Sequence, residues 1–134
     1  GAAVGILSAL ATKGLVPFRT AAFMVCGLNI GTCITAVLAS VTGCRNSKRI
    51  ATFHVLFNLV GTIFFLIICS ATPLLSWIAE FSGTPAHQVA NFHTVFNIVT
   101  TVIMLPFDAV FMKLIYKLLP IKGEMLAEGS LIEE

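Results

Sequence analysis

Apolar residues fall in long runs along this chain, and the polar positions that interrupt them recur at set intervals. Thr20 to Val41 carries no charge, and about 20 such residues cross the roughly 30 Å hydrocarbon core of a bilayer. Lys48 to Ala71 is a second, more uniform span, and Ala90 to Leu105 a third, ended or kinked at Pro106. Gly1 to Thr12 is too short to cross and reads as an apolar half-helix closed by Lys13-Gly14 and the turn around Pro17. Thr42 to Arg49 (TGCRNSKR) reads as a polar basic loop, with Gly43 stopping one helix and Ser47 as N-cap of the next. Thr72 to Ala90 is a mixed connector, with a short surface helix over LLSWIAEF and Trp77 suited to an interfacial belt. Beyond Pro106, Phe107, Val110, Phe111, Leu114, Ile115 and Leu118 recur at helical spacing opposite Asp108, Lys113 and Lys117. That is the pattern of an amphipathic helix lying in the interface, although a helix facing the core of a larger protein shares it.

The pattern predicts an all-α integral membrane protein: one interrupted transmembrane helix, two further transmembrane helices and a C-terminal amphipathic helix. Residues 1–120 form the transmembrane domain, and 121–134, with Gly123, Gly129 and several Glu, a polar cytoplasmic tail or linker.

Composition agrees. The chain is 57% hydrophobic and 10% charged, with mean hydropathy +0.99, whereas a soluble domain carries about 25% charged residues. Cys26, Cys33, Cys44 and Cys69 show neither CxxC nor CxxH spacing, so no zinc or redox motif is present. No Walker A sequence occurs, and no nucleophile–base or carboxylate pair suggests an enzyme, since Glu80 and Asp108 fall at different membrane edges. The basic residues are too few and dispersed for a nucleic-acid surface. Their placement sets orientation instead. Arg45, Lys48 and Arg49 crowd one loop and Lys113, Lys117 and Lys122 the C-terminus, so both regions are expected in the cytoplasm and the connector, with His87, outside.

The richest segment is GLNIGTCITAVLAS, Gly27 to Ser40. Gly27 and Gly31 weaken the helix, while Asn29, Thr32, Thr35 and Ser40 supply side-chain oxygens in the middle of a span. Non-helical backbone at membrane depth faces protein or a water-filled cavity, and discontinuous helices build midplane ion and substrate sites in many transporters. Small-residue helix packing is the competing explanation. The buried Asn flanked by Gly and Thr favours a site of neutral oxygens and amides, suited to a hard cation such as sodium and, at a half-helix N-terminus, to an anion.

A second polar pattern is repeated. TFHVLFNLVGTIFFL from Thr52 aligns without gaps on NFHTVFNIVTTVIML from Asn91, matching His54 to His93 and Asn58 to Asn97. His and Asn four residues apart share a helix face. The two spans run in opposite directions, so equivalent stripes could meet about a two-fold axis in the membrane plane. Such residues serve as interhelical glue or, alternatively, contact ions or sense protons.

GLNIGTCITAVLAS resembles the GxNIGTxxTAxLAS signature of the type II sodium–phosphate cotransporters and their bacterial relatives. The resemblance continues through KRIATFHVLFNLVGTIFF (Lys48 to Phe65) and NFHTVFNIVTTVIMLPF (Asn91 to Phe107). The family's Gln-Ser-Ser signature, at the tip of a re-entrant hairpin, is missing. Gly1 to Leu15 resembles the family's segment C-terminal to that signature, so the chain is expected to begin just after it. The resemblance implies that Gly1 to Thr12 is the returning arm of a partial re-entrant hairpin, which also explains Lys13 and Arg19 on the outside. It implies sodium-coupled phosphate symport across a bacterial plasma membrane, with this chain about half of the transport unit. Its partners would be phosphate, sodium, the bilayer and either a missing first half or a second copy. By position it places the substrate and ion site at Asn29, Gly31, Thr32 and Thr35, supported by Gly27 and Ser40, with sodium at Asn29, Thr32 and Thr35 and no other cofactor. A non-transporting scaffold subunit and an ion channel are the alternatives.

Overall fold

A computed structural model describes residues 1–120, so the expected tail at 121–134 lies outside the described residues. Among the described residues every regular element is helical: α1 (Ala2–Thr12), α2 (Phe18–Gly31), α3 (Cys33–Val41), α4 (Arg45–Ala71), α5 (Leu74–Ser82), α6 (Pro85–Met104), a 3-10 turn (Leu105–Phe107) and α7 (Asp108–Leu118). Three helical stretches, Phe18–Val41, Arg45–Ala71 and Pro85–Leu118, are long and apolar enough to cross a membrane. Only 17 to 28% of an 18-residue apolar segment of each is buried within the protein. Ile34, Leu38, Ile63, Ile67, Ile98 and Val102 therefore point outward, as lipid-facing side chains would.

Alternating small and large residues hold the bundle together. Ala21, Ala22, Val25 and Cys26 of α2 let it approach Phe65 of α4 and Phe92 and Phe96 of α6. Phe65 meets Phe92 and Phe96 edge-on, at 5.5 and 5.0 Å between ring centroids, a favoured aromatic geometry. Leu7 and Ala11 bring α1 onto the same cluster. α1 returns beside α2 after the turn at Gly14, whose φ of +70° suits glycine, and at 11 residues it is about 16 Å long.

Several boundaries differ from the sequence expectation. Most of the basic segment 42–49 is not a loop: α4 starts at Arg45 with Cys44 as N-cap, and Ser47 pairs through its hydroxyl with the Cys44 thiol at 3.3 Å. Arg49 is buried rather than loop-exposed. The connector is shorter too, because α6 begins at Pro85. Thr84 caps it by accepting from the His87 amide, and proline at the first helical position lacks only an N–H the helix would leave unpaired. His87 thus lies in the first turn of a helix. Gly83, at φ +69°, makes the bend from α5, and Asn91 donates to the Ser82 hydroxyl at 3.0 Å to fix it.

α7 forms where the periodicity beyond Pro106 predicts a helix. Phe65–Phe96, Gly61–Thr100, Phe53–Phe111 and Arg49–Tyr116 form one antiparallel series down α4. The 3-10 turn at Pro106 therefore leaves α7 running along α4. Of the apolar stripe, Ile115 is buried and Phe111 half-buried on the α4 side, while Phe107, Val110, Leu114 and Leu118 stay exposed.

Candidate functional site

The second half of the Gly27–Ser40 segment starts a new helix. α2 runs through Gly27 and Asn29 to Gly31, Thr32 stands alone, and α3 begins at Cys33. The break is one residue long and keeps the chain's direction: Thr32 retains helical angles (φ −64°, ψ −22°), and its amide still bonds to the Leu28 carbonyl at 3.0 Å. The interruption expected over Gly27 to Thr32 is thus confined to its last residue.

Side chains occupy the carbonyls around it. The Thr32 hydroxyl donates to the Asn29 carbonyl at 2.8 Å, and the Cys33 thiol lies 3.5 Å from the same oxygen. The Thr35 hydroxyl donates to the Thr32 carbonyl, also at 2.8 Å. Hydroxyls that bond back to the preceding turn bend and weaken a helix. The Thr-x-x-Thr spacing therefore accounts for the one-residue irregularity, two hydroxyls bonding back to the Asn29 and Thr32 carbonyls across it.

The predicted residues separate into three places. Gly27, Gly31, Thr32 and Thr35 are exposed on the outer side of α2 and α3, and a β-carbon on either glycine would meet nothing within 4 Å. Asn29 is half-buried, on the face that carries Cys26 and Cys33. Ser40 lies two turns beyond Thr32, buried, with its hydroxyl turned to the Val37 carbonyl at 2.8 Å, so the fold does not bring it to Asn29.

The His-x-x-x-Asn stripes do not meet each other. Each Asn donates its amide to the carbonyl of its own His, Asn58 to His54 at 2.9 Å and Asn97 to His93 at 2.8 Å. Asn97 is exposed, so the α6 stripe turns outward. The α4 stripe turns inward to α3, where the Cys33 thiol reaches the His54 carbonyl at 3.6 Å. At the crossing of α4 and α6 another equivalent pair meets, Gly61 and Thr100. His54 and His93 each lie seven residues from that pair on opposite sides, about 20 Å apart along the helix axes.

Two polar residues carried no motif in the sequence. Thr62 and Thr100 are 3 and 5% exposed, and neither hydroxyl has a hydrogen-bond partner. Thr62 extends the inward stripe by one turn, giving His54, Asn58 and Thr62 at four-residue spacing. Its position on the His54 face was the available signal. Among the described residues no cluster of His, Cys, Asp or Glu could hold a transition metal, and the polar groups here are amides, hydroxyls and carbonyls.

No family model matches the sequence, and no solved structure matches it. The chain is 38% identical over 119 residues to the uncharacterized protein YqeW of Bacillus subtilis (strain 168). That alignment takes in 89% of this chain but 38% of YqeW, so the chain spans well under half the length of this relative.

Proposed function

We propose that this chain is a substrate-binding part of a secondary transporter, about half of the transport unit, and that it moves phosphate with sodium across a bacterial plasma membrane. The observation that carries this reading is the one-residue helix break at Thr32, in the middle of an apolar span, with the inward polar stripe of α4 facing the same segment. Asn29, Thr32 and Thr35 are the side chains proposed to take sodium, with Gly27 and Gly31 letting substrate or a neighbouring helix approach the backbone. Phosphate and sodium as the specific pair rest on the resemblance of GLNIGTCITAVLAS to the sodium–phosphate cotransporters. In this reading α1 is the returning arm of a re-entrant hairpin, and Arg45, Lys48 and the C-terminus face the cytoplasm. The open Gly27–Gly31–Thr35 face is then completed by the rest of a longer protein or by a second copy.

The same open face favours a second reading. Gly27 and Gly31 form an exposed small-xxx-small pair, which is how helices associate in lipid, so a scaffold subunit would use it for assembly alone. Phosphate uptake by the full-length protein in proteoliposomes separates the two. Saturable uptake that requires an inward sodium gradient is expected. Uptake indifferent to sodium, or no uptake by protein shown to be folded, would remove the symport reading.

A further inference from the structure

The basic residues at the start of α4 and the end of α7 gather at one end of the bundle. Three contacts set the register of the two helices. Phe53 lies edge-on to Phe111, the Arg49 guanidinium stacks on Tyr116, and the Arg49 Nε donates to the Leu119 carbonyl. Tyr116 and Leu119 therefore stand level with the first turns of α4. Lys117 follows Tyr116 directly, Lys48 precedes Arg49, and Arg45 begins the helix. Lys113 lies one turn along α7 from Lys117, and Arg45, Lys113 and Lys117 are exposed. Among the described residues the acids are Glu80 and Asp108. Glu80 belongs to α5, beyond the far end of α4, and Asp108 stands at the opposite end of α7 from Lys117.

An uncovered apolar row runs beside the lysines. Val110, Leu114 and Leu118 recur every four residues on one side of α7 and are 62, 44 and 60% exposed, while Phe111 and Ile115 turn to α4. Lys113 and Lys117 are also four apart, and each precedes a leucine of that row by one residue, so a cationic row borders the apolar row along the helix. Ile50 of α4, 70% exposed, adds an apolar side chain at the same level. Water alone does not suit the leucines, and the hydrocarbon core does not suit the ammonium groups. The two rows side by side match the boundary where acyl chains give way to headgroups, with lysine stems lying on apolar surface and their charges reaching outward. The local excess of cations selects anionic headgroups, since juxtamembrane lysines and arginines gain from a negative surface. A nucleic acid or an acidic soluble protein would match the charge but leave the leucines in water.

We propose that α7, with Arg45 and Lys48 of α4, binds anionic phospholipid headgroups at the membrane interface. Val110, Leu114 and Leu118 enter the acyl boundary, and Lys113 and Lys117 hold the headgroup phosphates. This inference rests on the membrane placement in the transport reading, with this end of the bundle at the cytoplasmic face, but not on the identity of the transported ions. Arg49 is engaged within the protein, on Tyr116 and Leu119, and so fixes which side of α7 meets the lipid.

Amide exchange of the full-length protein tests the surface, in vesicles of phosphatidylcholine alone or of equal parts phosphatidylcholine and phosphatidylglycerol. Exchange across α7 is expected to be slower in the anionic vesicles, by about fivefold for each lysine engaged. Exchange across α6 should be unchanged, and molar salt should abolish the α7 difference. Lys113→Gln combined with Lys117→Gln is expected to erase the dependence on lipid, and the corresponding pair of arginine substitutions to keep it. Equal α7 exchange in the two kinds of vesicle would overturn the inference and leave the glutamates of 121–134 or another protein segment as the occupant. A lipid dependence that survives the double glutamine variant overturns it as well. Where that variant reaches the membrane poorly, the salt titration of the unmodified protein tests the same charges, and a difference indifferent to salt counts against them. Sodium-driven phosphate uptake in the same vesicles keeps the two readings apart. Uptake with lipid-indifferent α7 removes only this inference, and lipid-dependent α7 without uptake removes only the symport.

Discussion

The γ-methyl of Thr100 occupies the space that a side chain on residue 61 would need. Gly61 is therefore fixed by α6, and the packing distance of α4 against α6 depends on the pair. Gly61→Ala is expected to push the helices apart at a cost of about 1–3 kcal/mol, the range for overpacking a filled interior. Thr100→Ala should recover most of that loss in the double variant, because the residues touch and their effects are not additive. Thermal unfolding of the full-length protein in detergent gives both values; simple additivity would mean that the contact does not set the spacing.

Asn29→Ala and Thr32→Ala remove different things. Asn29 carries an unpaired carboxamide oxygen, whereas Thr32 holds the carbonyl at the helix break. Each is expected to weaken the apparent sodium or phosphate affinity about tenfold to a hundredfold, the worth of one contact to a charged partner. His54 meets Cys33 through its backbone carbonyl, so His54→Ala should lower the folded yield and leave the affinities of the surviving protein near wild type. Uptake measured against both ions and normalised to protein in the membrane decides. The reverse pattern would exchange the assignments of site and scaffold.

Arg49 ties the C-terminal helix to α4. Its Nε donates to the Leu119 carbonyl at 2.9 Å, and the guanidinium lies 4.1 Å from the centre of the Tyr116 ring. Arg49→Ala is expected to leave that carbonyl without this donor, at about 1–3 kcal/mol, and to speed amide exchange across α7 but not across α6. Arg49→Lys should restore only part of the protection, since an ammonium lacks the planar face that stacks on tyrosine. Equal exchange in α7 for all three proteins would show that α7 is held by other contacts.

Cys44 is exposed at the start of α4, where the Ser47 hydroxyl beside it holds the thiol below its ordinary range. A lowered value means more thiolate at neutral pH, and thiolate is the reactive form. Alkylation of Cys44 is therefore expected to persist to lower pH than that of an ordinary thiol, and Ser47→Ala to move the midpoint upward. With an impermeant maleimide in sealed vesicles the same experiment reads topology. Cys44 and a cysteine placed at His87 should label from opposite sides, and labelling from one side would refute the crossing of α4 between them.

The long apolar runs made legible the three helices long enough to span a membrane, and the run from Gly27 to Thr32 placed the irregularity at Thr32 to within a few residues. Boundaries were less so. Charge on Arg45, Lys48 and Arg49 suggested a loop, yet helix propensity is high for Arg and Lys, and burial of Arg49 under Tyr116 depends on α7, far along the chain. The burial of Thr62 was invisible for a similar reason. Periodicity tells which residues share a face of α4, but not whether that face meets α2, α6 or lipid. His54-Asn58 and His93-Asn97 are the same motif with opposite surroundings, because only the first lies on the side of its helix that α3 covers.

The crossing at Gly61 and Thr100 has a mechanical consequence. These two positions correspond to one another in the repeated segment, and they are also in direct contact where α4 meets α6. The contact is thus a fulcrum placed at the symmetry point of the pair. From Gly61, α4 extends ten residues to Ala71 and sixteen to Arg45, arms of about 15 and 24 Å. A small tilt about this point swings Cys69 and His54 in opposite directions, so parting the α2 end of the interface presses the α3 end together.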